Sequence, residues 1–145
     1  MNIYLATRFS RRHEMREFAT LLKIIGHTCV SRWINGSHDH PALGESREEF
    51  RRRNADEDRA DLDRADCLIA FVAEERSDTR GGNHVEFGYA LAQRQRVMLV
   101  GVQGNVFHCL PEVEHYENAR ACLAKLAGEV GMEVPDSVRE EMLAR

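Results

Sequence analysis

Cysteine is scarce in this chain, and the cysteines present do not form close pairs. The four of them are far apart, with no Cys-x-x-Cys spacing, so neither a zinc site nor a disulfide framework is expected. Cys67 and Cys122 stand among apolar residues and are expected to be small core side chains. His38 and His40 could bind a metal, but their Gly- and Pro-containing segment favours ordinary loop histidines. We therefore expect no metal site.

Long apolar runs and a surplus of basic residues are also missing. The longest apolar run is far below the roughly 18 residues that a membrane span needs. The sequence passes from Met1 directly into a strand-like segment, without a basic leader. Its 20 basic and 24 acidic side chains give a net charge of −4, which is unfavourable for nucleic-acid polymers. These absences predict a cytoplasmic protein that binds no membrane and no nucleic-acid polymer, although a pocket could hold one nucleotide.

The common phosphate-binding loops are missing too. Two glycines precede a helical pattern in Arg80-Gly81-Gly82-Asn83-His84-Val85-Glu86-Phe87-Gly88-Tyr89-Ala90, but no Gly-Lys-Ser/Thr follows them. The chain also has no Gly-x-Gly-x-x-Gly run. Binding of triphosphates and dinucleotides therefore loses its best support.

What the sequence does contain is a regular alternation of apolar runs and helical patterns. The capping box Ser46-Arg47-Glu48-Glu49 begins a long polar helix. The alternation predicts a single α/β domain over residues 1–145, with a Rossmann-like parallel sheet and helices on both faces. Strands are predicted at 2–6, 27–33, 67–72 and 97–102, and helices at 11–25, 46–65, 83–92, 117–130 and 138–143. Ligands of such sheets bind beyond the carboxyl ends of the strands, which favours the loops 7–12, 73–82 and 103–111.

Glu86 is the first candidate for chemistry. Gly81 and Gly82 lie between a strand and a helix, where backbone N–H groups can approach a ligand closely. With Asn83 as cap, Glu86 falls in the first helical turn, whose positive end would keep a nucleophilic carboxylate ionised. Glu86 could instead merely close a capping arrangement. Gly88 costs about 1 kcal/mol against alanine inside a helix, which indicates a close approach there.

A second acidic candidate lies on the long polar helix. At about 100° per residue, Asp58 and Asp61 share an arc with Phe50 and Ala65, and this arc should face the sheet. A carboxyl group there would have a raised pKa and could hold a proton for a leaving group. Periodicity alone does not choose between Asp58 and Asp61.

Several other side chains have both a structural and a functional interpretation. Tyr4, near the end of the first strand, could be a core residue or could orient a carboxylate across the cleft. His84 stands beside the glycine pair and could contact a ligand. Arg8 and Arg80 could bind a phosphate through charge and paired hydrogen bonds, or could be surface residues.

The order and spacing of three segments resemble the nucleoside 2-deoxyribosyltransferase family, whose superfamily also contains deoxynucleoside 5′-monophosphate N-glycosidases. The resemblance covers roughly residues 2–102. It implies a flavodoxin-like sheet, a nucleophile at Glu86, an orienting tyrosine at Tyr4 and an acid/base aspartate, for which Asp58 fits better than Asp61. The segments are Ile3-Tyr4-Leu5-Ala6, Ala65-Asp66-Cys67-Leu68-Ile69-Ala70, and Gly81-Gly82 leading to Glu86-Phe87-Gly88-Tyr89-Ala90.

The resemblance also implies a reaction. The N-glycosidic bond of a nucleoside or nucleotide would be cleaved or transferred through a covalent glycosyl-Glu86 intermediate, without metal or cofactor. A homodimer or larger homo-oligomer is implied, in which Asn105-Val106-Phe107-His108 would complete a neighbour's site. Two alternatives stay open: a nucleoside 5′-monophosphate N-glycosidase, with Arg80 where that group has a phosphate-binding serine, and a non-catalytic nucleotide-binding sensor.

Overall fold

A computed structural model describes residues 1–73 and 81–134 of the chain. These residues form a five-stranded sheet, four α-helices and three short 3₁₀ helices. Within these ranges, each helix is too short or too polar to cross a membrane. The strands are β1 (Asn2–Ala6), β2 (Thr28–Cys29), β3 (Cys67–Val72), β4 (Arg96–Gly101) and β5 (Val113–Tyr116), and the helices are α1 (Arg12–Ile24), α2 (Arg47–Arg64), α3 (Gly82–Ala92) and α4 (Ala119–Glu129).

The sheet is parallel throughout and has the order β2-β1-β3-β4-β5. This is the flavodoxin-like order, and it confirms the expected fold class. The chain first moves from β1 to β2 and then crosses back to β3. The direction of winding therefore changes between β1 and β3, which is where ligands of such sheets bind.

Continuous apolar strands form the core, as the sequence predicts. Leu5, Ile69 and Leu99 lie on three adjacent strands and are fully buried. Helix α1 covers the sheet with its apolar stripe, and Phe18 meets Phe71 of β3 edge to face at 5.0 Å between ring centroids. Burial on both faces explains why these strands lack the polar alternation of a one-sided sheet.

Helix α2 has a different character, because its only buried residues are Asp61 and Leu62. The predicted capping box is present: Ser46 Oγ accepts from the Glu49 amide at 3.2 Å, and Glu49 accepts from the Ser46 amide at 2.8 Å. Helix α2 packs against α3 and β1. It therefore brings a mostly polar face to the edge of the core, beside the first strand.

Two strand predictions needed correction. The strand expected at 27–33 is only Thr28–Cys29, because the chain then enters a 3₁₀ helix at Arg32–Asn35 whose Trp33 donates to the Leu5 carbonyl. Strand β5 was not predicted, since its Glu114 and His115 interrupt the apolar pattern at the edge of the sheet. The helix predicted at 138–143 lies outside the described residues.

Candidate active site

Tyr4 and Glu86 meet at the junction of β1 and α3. The Tyr4 hydroxyl donates a hydrogen bond of 2.7 Å to Glu86 Oε1. The tyrosine side chain is fully buried in the first strand, so its position is fixed by the sheet. Burial and the neighbouring Glu86 and Asp58 charges raise the Tyr4 pKa well above its usual value, which keeps the hydroxyl a donor.

Asp58 faces the same pair from α2. Its side chain is 22% exposed, and it lies near enough to Tyr4 for its charge to raise the Tyr4 pKa. Burial raises the pKa of Asp58 to about 7, against a smaller lowering by the Tyr4 contact. A carboxyl group with this pKa can carry a proton near neutral pH and release it to a leaving group.

Asp61, the alternative to Asp58, has a different environment. Its carboxylate is fully buried and accepts from the Arg32 amide at 2.9 Å and from Arg32 Nε at 2.7 Å. Arg64 donates to it as well. With its oxygens already bonded to two arginines, Asp61 is suited to holding the 3₁₀ segment against α2 and not to donating a proton.

Two expectations about the helix around Glu86 proved wrong: its cap residue, and the position of Glu86 in the first turn. The helix cap is Gly81, in the left-handed conformation with φ of 83°, and not Asn83. Glu86 is therefore the fifth residue of α3, beyond the first turn where the helix end acts most strongly. Burial outweighs the lowering by the Tyr4 bond, and with the Asp58 charge it raises the pKa of Glu86 to about 8.

The expected close approach at Gly88 is also absent from the described part of the molecule. A Cβ placed on Gly88 or on Gly82 would meet no described heavy atom within 4 Å. Gly88 instead lines a groove of about 500 Å³ on the outer side of α3, together with Phe87 and Phe107. The conformational freedom of glycine is needed at Gly81, where φ is positive.

The proposed ligand-binding residues do not all gather around Glu86. Arg8 is exposed just beyond the carboxyl end of β1, near the change in winding direction. His84 lies on another face of α3, with its Nδ1 3.5 Å from Asn105 Nδ2, and lines the outer groove. Arg80 lies outside the described residues.

A polar cluster around Asp58 was not predicted. Asn54 and Glu57 share the inward side of α2 with Asp58, and His38 approaches from the loop before that helix. The helical spacing of residues 54, 57, 58 and 61 is a signal that could have found the α2 members. Among the described residues, no three His, Cys, Asp or Glu side chains are grouped to hold a metal.

Comparison with known proteins places this chain in a family. The model of the family Nucleoside 2-deoxyribosyltransferase matches residues 3–138. The chain belongs to this family. It is thus an enzyme of the class that acts on the N-glycosidic bonds of nucleosides. No curated protein sequence matches it.

Two solved structures share the fold of this nucleoside 2-deoxyribosyltransferase family member. The 2-deoxyribosyltransferase of Bacillus psychrosaccharolyticus is 18% identical, with a TM-score of 0.68, over 93% of this chain and 99% of that one. The CMP N-glycosidase of Clostridium botulinum is also 18% identical, with a TM-score of 0.56, over 87% of this chain and 98% of that one. At this identity the likeness establishes the fold.

Proposed function

We propose that the protein cleaves or transfers the N-glycosidic bond of a nucleoside through a covalent glycosyl-Glu86 intermediate. The observation that carries the proposal is the 2.7 Å hydrogen bond from Tyr4 to Glu86, with Asp58 facing the same two groups. Two carboxyl groups with different environments are the usual requirement for glycosyl transfer with retention. Glu86 is the nucleophile, Asp58 the acid, and Tyr4 holds Glu86 in place.

In the first step, Glu86 attacks C1′ of the sugar while the bond from C1′ to the base nitrogen breaks. The bonding electrons pass to the base, and the Asp58 proton neutralises the leaving nitrogen. The products are a glycosyl ester on Glu86, a free base and an Asp58 carboxylate. Tyr4 donates to one oxygen of Glu86, which leaves the other oxygen available for the attack.

In the second step, the acceptor is either water or a second base. The Asp58 carboxylate takes a proton from the acceptor, which attacks C1′ and releases Glu86. Water gives hydrolysis and a second base gives transfer. The same three side chains serve both outcomes, so access of the acceptor decides between them.

The test is incubation with nucleosides, deoxynucleosides and their monophosphates, with and without an added base, followed by chromatography of the released base. Glu86→Gln should lower the rate on the order of 10⁴-fold or more, because it removes the nucleophile at nearly constant shape. Glu17→Gln, an exposed change on α1, is the matched control. Equal rates in the two variants would contradict the role of Glu86, while tight nucleoside binding without any product would favour the sensor.

A hydrolase of nucleoside 5′-monophosphates is the second candidate. It is favoured by Arg8, an exposed guanidinium beyond β1 that can pair with a phosphate. Arg8→Ala should then raise KM for monophosphates about 10-fold or more, equivalent to one charge-assisted bond, and leave KM for the nucleosides unchanged. An equal effect on both substrate types would count against a phosphate site at Arg8.

We also propose that the protein is a homo-oligomer. Phe107 lines the outer groove of α3 and is 61% exposed, and Val85 and Val106, each next in sequence to a residue of that groove, are 72% and 78% exposed. Such exposed apolar side chains favour a protein contact. A second copy of the chain is the occupant that the family resemblance implies. Phe107→Ser should lower the mass found by sedimentation, whereas Val130→Ser, an exposed change after α4, should not.

A further inference from the structure

His38 lies against the carboxyl group that we assign as the acid. Its Nε2 is 3.4 Å from Asp58 Oδ1 and 3.6 Å from Glu57 Oε1. The imidazole is only 13% exposed, although it comes from the loop between the 3₁₀ helix Arg32–Asn35 and α2. A loop histidine so placed is unlike the neighbouring His40, which is exposed.

The loop that carries His38 is tied to α2 on both sides of the histidine. Arg53 donates to both carboxylate oxygens of Glu45, at 2.8 and 3.0 Å, and to the Ser37 carbonyl at 3.2 Å. Asp39 approaches Arg12 of α1 at 3.4 Å. These contacts order the chain before and after His38, so its ring is held over α2.

The atoms that meet at this point are incompletely paired. Within the described residues, His38 Nε2, Glu57 Oε1 and Asp58 Oδ1 are buried and have no hydrogen bond of normal geometry. Buried polar atoms in proteins nearly always have a partner. One imidazole N–H can serve only one of the two facing oxygens at a time. The N–H of His38 can therefore form a shorter hydrogen bond to Asp58 when that group gains negative charge.

We propose that His38 is a positioning residue for Asp58, donating from Nε2–H to Oδ1 as Asp58 loses its proton to the departing base. This inference rests on the acid role proposed above for Asp58. No proton leaves His38: the Asp58 proton passes from Oδ2 to the base nitrogen, and the histidine bond stabilises the carboxylate that remains. The bond is stronger to the carboxylate than to the neutral acid, so it favours the transition state over the ground state.

The charges around His38 are consistent with a neutral donor. Burial lowers its pKa, the Arg53 charge lowers it further, and Glu57, Asp61 and Asp39 oppose that change. A neutral ring has one N–H, and the two facing carboxyl groups favour the tautomer with that proton on Nε2.

The experiment compares His38→Ala and His38→Gln on two nucleosides, a pyrimidine nucleoside and its 5-fluoro derivative, whose base is the better leaving group. His38→Ala should lower kcat for the parent substrate about 10- to 100-fold, equivalent to one charge-assisted hydrogen bond. The loss should be smaller for the fluorinated substrate, because its base needs less protonation. His38→Gln keeps an N–H donor and should restore part of the loss.

Controls distinguish this inference from a structural role and from failure of the proposed function. His40→Ala, two residues away in the same loop, should keep wild-type kcat on both substrates. The folding of each His38 variant is checked by its Tm, and His38→Gln is used if the alanine variant does not fold. An unchanged kcat, or equal losses on the two substrates, would overturn the role of His38. Wild-type rates in Glu86→Gln would instead overturn the glycosyl-enzyme itself.

Discussion

The hydroxyl of Tyr4 donates to Glu86 Oε1 across 82 residues of sequence and joins the first strand to the third helix. The tyrosine is completely enclosed by the core, so the sheet fixes one end of this bond. Glu86, in contrast, is only partly buried and faces Asp58. One rigid donor thus orients a carboxyl group whose ionisation is opposed by its surroundings.

Tyr4→Phe removes this donor with little change in shape. Because the Tyr4 bond lowers the Glu86 pKa, its loss should raise that pKa and move the acid limb of kcat/KM to higher pH. The rate should fall about 10- to 100-fold, as expected for one hydrogen bond to a charged group. Tyr116→Phe, which removes a 2.7 Å bond to Glu114 on the edge strand, is the matched control. A Tyr4→Phe profile that overlies that of Tyr116→Phe would exclude the orienting role.

The pH dependence of kcat/KM should be bell-shaped. Attack needs an ionised Glu86 and a protonated Asp58, so the reactive form holds one proton on the pair. With pKa values of about 7 and about 8, the pair holds two protons below this window and none above it. The apparent pKa values of the two limbs describe the coupled pair and not either residue alone. A rate that is flat from pH 5 to pH 10 would be inconsistent with this pair.

Asp58→Asn tests the role of the second carboxyl group of the pair, because it removes the proton and the charge of Asp58. Asparagine does not titrate, so the variant should lose the basic limb and keep one ionisation, that of Glu86, whose pKa no longer contains the contribution of the Asp58 charge. The loss of general acid catalysis should cost about 10²- to 10⁴-fold in kcat on substrates with poor leaving groups. The measurement is a pH–rate series on both proteins, and a basic limb that persists in Asp58→Asn would show that Asp58 is not the group that must stay protonated.

Glu86 should also destabilise the fold at high pH. Its folded pKa is raised from the ordinary 4.5 to about 8, so its contribution to stability is fully present below pH 4.5 and is lost as pH rises through 8. At pH 9, the free energy of unfolding of Glu86→Gln should therefore be about 1–3 kcal/mol higher than that of the wild-type protein. Urea titrations at pH 5 and pH 9 measure the difference. A Gln variant that is less stable at both values would contradict the burial of the charge.

Asp61 should behave as a structural residue. Asp61→Ala removes the buried partner of Arg32 and Arg64, which are half exposed and can be solvated, and should lower the free energy of unfolding by about 1–3 kcal/mol. Asp56→Asn, on the exposed side of the same helix, should change it by less than about 0.5 kcal/mol. Chemical denaturation of both variants gives the comparison, and equal stabilities would show that Asp61 is not a structural anchor.

Much of the fold is determined by local sequence. The apolar runs at β1, β3 and β4 can only be buried on both faces, and Ser46 with Glu49 satisfies a helix terminus from nearby residues alone. Strand β5, at the edge of the sheet, was not predicted because its polar Glu114 is stabilised by the distant Arg96. One of the hydrogen bonds from Arg96 to Glu114 is 2.9 Å long. Local patterns do not contain that partner.

The candidate site divides in the same way. The sequence by itself determined that Tyr4, Glu86 and one of two aspartates could share a cleft, because residue type and helical spacing are local properties. Only the tertiary structure shows how the surroundings of the two aspartates differ, since Asp58 and Asp61 occupy one helix face and are reached by different distant residues. Arg32 bonds to Asp61, whereas Tyr4 and His38 approach Asp58. Burial, pKa and proton donation depend on such contacts between distant segments, and these exist only once the chain has folded.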